Sequence, residues 1–288
     1  ASLIDMLAAA DKGALKALFV VGENPVGTLP AAAQAKEALA KLDLLVCQEL
    51  FLTETAAMAH VVLPASSYME KHGTFTNSEG HVQAVRQAID PVGDSRPDWE
   101  MFSALSVLMG SPLEYGDARE ILKEIRSVIP GYGLLGPAPT PPKVDQAVLS
   151  RYLTEEFAVD AAKRYALRPT PKTDDEQFTL LFVQTLFHSG KLSTRSKGLL
   201  QVQQDGFLSI NPADAATLGL TDGRQVRVSN TRGAITTTVK ILERVPVGLL
   251  WFPEHFDGEA KQLADWTIDP QTQIPYFKLA RVSLAKVS

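Results

Sequence analysis

The chain has 288 residues, 45% of them hydrophobic, a formal net charge of −5 and a single Cys. That length suits two domains better than one, since single cores stop growing at roughly 250–300 residues. One Cys excludes a disulfide framework, a Cys-rich zinc site and a Cys-ligated iron–sulfur cluster within this chain. The acidic balance argues against a nucleic-acid surface, so no nucleic-acid partner is expected. No apolar run approaches the ~20 residues that span a bilayer, so no direct membrane insertion is expected either.

The chain opens at Ala1 with an Ala-rich stretch that does not build a signal peptide, and it reads as a fragment of something longer. Residues 17–21 form a continuous apolar run ended by Gly22-Glu23-Asn24-Pro25, and an Ala-rich helix is predicted over 31–42 behind Pro30. Further buried strands are predicted at 44–47 and 61–64, with a helix starting at Thr53 and running through Met58. Strands without polar alternation, separated by helices, predict a parallel sheet covered on both faces. His72 to Gly80 reads as a polar, turn-rich loop, and helices are predicted over 98–109 and 117–129.

Gly136-Pro137-Ala138-Pro139-Thr140-Pro141-Pro142 is the clearest linker signal, and a helical stretch follows at 155–165. The expected division is an α/β domain over 1–136, a Pro-rich linker over 137–175 and a β domain over 176–288. In the last of these, strands are predicted at 178–187, 207–210, 249–252 and 277–284. A compact helix at 212–218 has Asn211 as N-cap and Gly219 just past its end. A hairpin turns at Asn230-Thr231-Arg232-Gly233. Half a dozen short strands with one inserted helix predict a small barrel.

Gly131-Tyr132-Gly133-Leu134-Leu135-Gly136 has the spacing of a dinucleotide fingerprint but follows a helix and precedes the linker, so it reads as a coincidental loop. Gly22-Glu23-Asn24-Pro25 instead lies at the carboxyl end of a parallel strand, where open α/β sheets bind ligands. Two readings stand there: an ordinary strand-ending turn, or a polar edge suited to a nucleobase or ribose. Gln48, Thr53 and Thr55 close the next strand on the same edge, with helix capping the plain alternative for the threonines. The loop from His188-Ser189-Gly190 through Ser193-Thr194-Arg195 is hydroxyl-rich and basic, either an anion cradle or a solvated loop. Cys47 reads as an inert core thiol, and neither a catalytic residue nor a metal ligand set stands out.

Taken together these motifs resemble the C-terminal half of the large molybdopterin-oxidoreductase family. Carrying the resemblance, in order, are Gly22-Glu23-Asn24-Pro25, residues 48–56, Val61-Val62-Leu63-Pro64-Ala65, residues 70–77 and Arg96-Pro97-Asp98-Trp99-Glu100. In the second domain His188-Ser189-Gly190, Asn211-Pro212-Ala213-Asp214-Ala215, Asp222-Gly223 and Arg232-Gly233 continue it. The resemblance implies a partial Rossmann-like α/β domain followed by a double-psi β-barrel of the molybdopterin-dinucleotide-binding type. It implies molybdopterin guanine dinucleotide as cofactor, held by Gly22, Glu23, Asn24, Gln48, Thr53, Thr55, Ser189, Gly190, Thr194, Arg195, His255 and Lys278.

Ser78-Glu79-Gly80-His81-Val82-Gln83 is more similar to the branch that supplies the large G-type subunit of bacterial NADH–quinone oxidoreductases than to formate dehydrogenases, which usually carry two basic residues after the Glu. That branch implies partner subunits of a respiratory NADH–quinone oxidoreductase and a cytoplasmic location peripheral to the inner membrane, with iron–sulfur clusters only on sequence upstream. Two departures matter. His60 stands where relatives usually have Asp, and Lys261-Gln262-Leu263-Ala264-Asp265 replaces an Asn-x-Leu-Thr element. A guanine or pterin edge would then lose partners worth about 1–3 kcal/mol per unsatisfied group. The resulting expectation is a non-catalytic scaffold in NADH-to-quinone electron transfer, the alternative being the dinucleotide-binding half of an active Mo or W bis-molybdopterin enzyme such as a formate dehydrogenase.

Overall fold

The computed structural model describes residues 2–129 apart from 31 and 79, then 132, 178–256 apart from 189, 259–268 and 275–287. The expected linker, the helix at 155–165 and all but Tyr132 of the Gly131–Gly136 loop lie outside the described residues.

Ser2 accepts a hydrogen bond from the Asp5 backbone N–H while Asp5 reaches back to Ser2, and this reciprocal cap starts helix α1, Leu3–Asp11, which was not anticipated. Strand β1, Ala17–Val21, leads to the one-turn helix α2, Pro25–Thr28, and then α3, Ala32–Ala40. Strands β2, Leu44–Glu49, and β3, Val61–Pro64, pair in parallel with register Ala17↔Leu44 and Val46↔Val61, in the order β1-β2-β3. Leu7, Ala10, Ala35, Leu39, Leu45 and Cys47 fill the core under α1 and α3. On the opposite face Phe19 meets Phe102 at 5.5 Å.

Three expectations need correction. The helix from Thr53 shrinks to a single 3-10 turn, Ala56–Met58, because Thr53 and Thr55 direct their side chains into other contacts. The loop after β3 contains a hairpin, β4, Gly73–Thr76, with β5, Val82–Val85, closed by the left-handed Gly80. Nor is the sheet covered on both faces. Val61 and Val62 on β3 are 43% and 41% exposed, and helix α4, Asp98–Leu108, buries no residue fully. Helix α5, Ala118–Val128, capped by Asp117, matches its expected span closely.

The second region opens with β6, Phe178–Val183, shorter than predicted because residues 184–187 turn away and Thr185 bridges to His188. A 3-10 turn, Lys191–Arg195, and helix α6, Lys197–Val202, follow, neither of them anticipated. Next come β7, Leu208–Ile210, and helix α7, Pro212–Thr217, whose Asn211 cap accepts from Ala213 N–H at 2.8 Å and donates to Val245 carbonyl at 2.7 Å. Strands β8, Gln225–Asn230, β9, Gly233–Ile241, and β10, Leu249–Pro253, lead to a short β11, Asp265–Ile268, and a long β12, Pro275–Lys286.

The order β12-β6-β10-β7-β9-β8 is closed by β12 pairing with β8, giving a six-stranded barrel with β11 appended. Its pairs are of mixed direction: β6–β10 and β7–β9 are parallel, while β8–β9 and β6–β12 are antiparallel. This closed barrel beside a parallel α/β sheet is the architecture expected for the double-psi class. Leu180, Leu208, Ile210, Val226, Val228, Leu250 and Val282 are inaccessible to solvent at its centre.

Candidate functional site

Buried parallel strands deliver their carboxyl ends to one edge, and there the sequence changes from apolar to polar. Gly22 follows β1 with φ +60°, donates its N–H to the Gln48 carbonyl at 2.9 Å, and faces open space where a Cβ would stand. Asn24 caps α2. Its Oδ1 accepts from Gly27 N–H at 3.3 Å, Thr55 N–H at 3.1 Å and the Thr55 hydroxyl at 2.8 Å, while Nδ2 donates to Glu54 Oε2 at 2.7 Å. Thr55 is fully buried, and its Oγ1 accepts in turn from Val26 N–H. Thr53 accepts from Ala56 N–H, which matches the capping alternative. Glu23 takes the hydroxyl of Thr28 at 3.0 Å. Asn24 and Thr55 thus spend most of their hydrogen bonds stitching the two strand ends together.

Beside this stitch lies a cleft of about 410 Å³, bordered by Gly22, Ser66, Tyr68, Lys71, Phe75 and Asp98 among others. Gln48 is fully buried and donates from Nε2 to Asp98 Oδ1 at 2.7 Å, while Lys71 Nζ reaches Asp98 Oδ2 at 2.6 Å. The Gln48 Oε1 and the Ser66 hydroxyl are buried with no hydrogen-bond partner. Orphaned polar atoms of this kind cost about 1–3 kcal/mol each in a finished core. At the mouth Tyr68 and Phe75 stand edge to face at 6.5 Å, and both are more than half exposed. Sequence reasoning missed Asp98, reading it only as the start of a helix. Its available signal was the buried Gln48 at a strand end, an amide that needs a charged or polar partner.

The barrel contributes a loop opposite this edge. His188 is fully buried, with Nδ1 3.0 Å from the Ser193 hydroxyl and Nε2 3.0 Å from the Gln203 carbonyl. His255 packs 5.6 Å from His188, ring to ring, with Nε2 at 3.2 Å from the Thr185 hydroxyl and a buried Nδ1 that has no partner. Burial, reinforced by the neighbouring His188, pushes the His255 imidazole below its usual value and keeps it neutral. The Thr194 hydroxyl donates to the Lys191 carbonyl, and the Arg195 guanidinium stacks 5.4 Å over Phe51. Loop hydroxyls are therefore turned onto their own backbone, and the cations point at the 50–55 turn. Gly190 is in extended backbone, Ser189 lies outside the described residues, and Lys278 lies in β12.

Both departures noted in the sequence have structural counterparts. His60 Nδ1 accepts the Leu45 N–H at 2.9 Å, tying the start of β3 to β2. Residues 259–263 form a 3-10 turn in which Leu263 is fully buried, and Lys261 is 8% exposed with Nζ 3.3 Å from the Thr28 carbonyl. Cys47 is fully buried, and burial with the nearby Glu49 pushes its thiol up to about 11. The thiolate is thus disfavoured in the folded chain at any pH below that value and recovers its ordinary pKa only on unfolding. An aromatic disulfide reagent at pH 8 is expected to leave Cys47 unmodified in the native protein and to titrate one thiol per chain in denaturant. Rapid native modification would contradict this burial.

Two family profiles match the chain: molybdopterin oxidoreductase over residues 1–107 and molydopterin dinucleotide binding domain over residues 183–281. The F420-dependent formate dehydrogenase 1 subunit alpha of Methanococcus maripaludis is 33% identical over 99% of this chain and 45% of its own length. The second G-type subunit of NADH-quinone oxidoreductase from Rhizobium meliloti is 34% identical over 86% of... this chain's 87% coverage counterpart is given by its own share, with 87% of this chain and 29% of that protein aligned. The NADPH-Fe(3+) oxidoreductase subunit alpha of Geobacter sulfurreducens is 34% identical over 86% of this chain and 28% of its own. The chain thus spans less than half the length of these relatives. In fold it is similar to acetylene hydratase from Pelobacter acetylenicus, with a TM-score of 0.68 at 17% identity over 98% of this chain and 46% of that one. The polar carboxyl edge, the closed barrel and both profile matches lead to one assignment: the chain belongs to the molybdopterin oxidoreductase family.

Proposed function

We propose that this chain holds the nucleotide end of a molybdopterin dinucleotide within a multi-subunit oxidoreductase. The observation that carries the reading is the polar floor of the cleft, where Gln48 Oε1 and Ser66 Oγ are buried without partners next to the Asp98 carboxylate. A guanine edge presents N–H donors, and an amide oxygen, a hydroxyl and a carboxylate are the acceptors that such an edge needs. The residues therefore fit the group. Gln48 and Asp98 would take the base, Lys71 pairs with Asp98 beside it, and Tyr68 and Phe75 offer ring faces at the mouth. When bound, the group supplies the metal-centred redox chemistry. This chain's residues bind, orient and exclude water.

A second reading is favoured by one observation. The turn at 259–263 replaces an amide-and-hydroxyl element with Lys261, which is spent on the Thr28 carbonyl. On that reading the cleft is an inherited feature, and the chain supports NADH-to-quinone electron transfer as part of a G-type large subunit. It would sit among the other subunits of an NADH–quinone oxidoreductase, on the cytoplasmic side of the inner membrane.

Elemental analysis for molybdenum and tungsten on the native full-length protein, with fluorescence of the oxidised pterin, separates the two. Near-stoichiometric metal and pterin are expected on the first reading. Absence of both would sink it and leave the scaffold.

A further inference from the structure

Three cationic side chains of the barrel reach across to the sheet edge. Lys191 Nζ donates to Glu54 Oε1 at 2.6 Å, Lys261 Nζ reaches the Thr28 carbonyl at 3.3 Å, and Arg195 stacks over Phe51. All the donors lie on barrel turns, and all the acceptors lie on the two turns that end β1 and β2. Of the three contacts, Lys191–Glu54 is the one that continues inward. Glu54 uses its other oxygen on Asn24 Nδ2, and Asn24 Oδ1 holds the amides of Gly27 and Thr55. Gly27 leaves the room this requires. A Cβ at that position would stand 2.2 Å from Asn24 Nδ2 and 2.5 Å from Lys191 Nζ, so both side chains would have to move.

We propose that Lys191, Glu54 and Asn24 form a latch that seats the barrel on the carboxyl edge of the sheet and fixes the strand-end turns in register. Lys191 is a positioning residue in this device, acting on Asn24 through Glu54. The inference goes beyond the nucleotide reading and needs no ligand to operate. Partial burial would raise the Glu54 carboxyl, but the hydrogen bonds from Lys191, its own backbone and Asn24 hold it down at about 2. Because that value lies below the ordinary one, the latch is fully formed above the usual carboxylate range. It is lost only as pH falls toward 2.

The test is hydrogen exchange of individual amides in the protein without added ligand, at neutral pH, comparing the native chain with Lys191→Ala and Lys191→Arg. The amides of Val26 and Thr55 are the reporters, since their acceptors are the Thr55 hydroxyl and Asn24 Oδ1. Amides of the β8–β9 hairpin serve as the reference. Loss of a partly exposed ion pair worth about 0.2–1 kcal/mol predicts reporter exchange faster by about 1.4- to 5-fold in Lys191→Ala, with the hairpin unchanged. Lys191→Arg should return the reporters toward native rates. Unchanged reporters in Lys191→Ala overturn the latch. If every amide accelerates in Lys191→Ala, recovery of the reporters in Lys191→Arg upholds the latch and its absence overturns it. Because no nucleotide or metal enters the measurement, its failure is distinct from a failure to find pterin.

Discussion

Asp98→Ala is expected to destabilise the folded chain by about 2–3 kcal/mol, because it strands a fully buried amide and unpairs Lys71. In the native structure Gln48 has one satisfied polar end, its Nε2 on Asp98, and one unsatisfied end. Removing the carboxylate leaves neither satisfied. Lys71 and Asp98 are only partly covered, so their ion pair adds less than the amide does. The same substitution takes away a charged acceptor that the cleft floor offers to a base edge. Losing one such charge-assisted hydrogen bond corresponds to about 10- to 100-fold weaker retention of a dinucleotide. Denaturant unfolding reads the first effect, and pterin released per chain after gel filtration reads the second. Asp98→Asn separates them, since its amide oxygen still accepts from Gln48 while the charge facing Lys71 is gone. Stability close to native with retention still lost would place Asp98 in recognition. Full retention in both variants would remove it from the site.

Leu250→Ala should cost more, about 2–5 kcal/mol, because the cavity opens in a closed barrel with little room to collapse. Leu250 is inaccessible to solvent and faces Leu180 across one register and Ile210 across the other. Both neighbours are themselves fully buried. By contrast Val62→Ala, on a β3 side chain that is 41% exposed, should stay within about 0.5 kcal/mol. Urea titrations followed by the tryptophan signal at Trp251, next in β10, check the first directly. Equal costs at the two positions would mean that the barrel interior is looser than its burial implies.

Much of this fold was legible because its signals are local. The runs at 17–21 and 44–47, the Asn211 cap with Gly219 behind it, and the hairpin turn at Asn230–Gly233 each need only neighbouring residues to be understood. The elements that escaped notice depend on distant partners. Thr53 and Thr55 looked like the start of a helix, yet the chain makes only one tight turn there, since Thr55 is recruited by Asn24, 31 residues away. The β4–β5 hairpin hid inside a polar stretch whose alternation is weak. The site shows the same division. Gly22, Asn24, Gln48 and Thr55 were readable as polar residues at strand ends, because a parallel sheet brings its carboxyl ends together. Asp98 was not, for it reaches Gln48 across 50 residues of sequence. Nor was it legible that Lys191 and Arg195, read as part of an anion cradle, would be spent on Glu54 and Phe51.

Closure of the barrel through β12 and β8 has a further consequence for how the two regions behave when handled. Every barrel strand in the cycle has a hydrogen-bonded neighbour on each side, so no backbone edge is left there to recruit another molecule. The three-stranded sheet is built the other way, with β1 and β3 both terminal among the described residues and apolar Val61 and Val62 displayed on the outer one. Templated aggregation would begin on that sheet, and the self-sealed barrel is the portion suited to excision as a soluble unit.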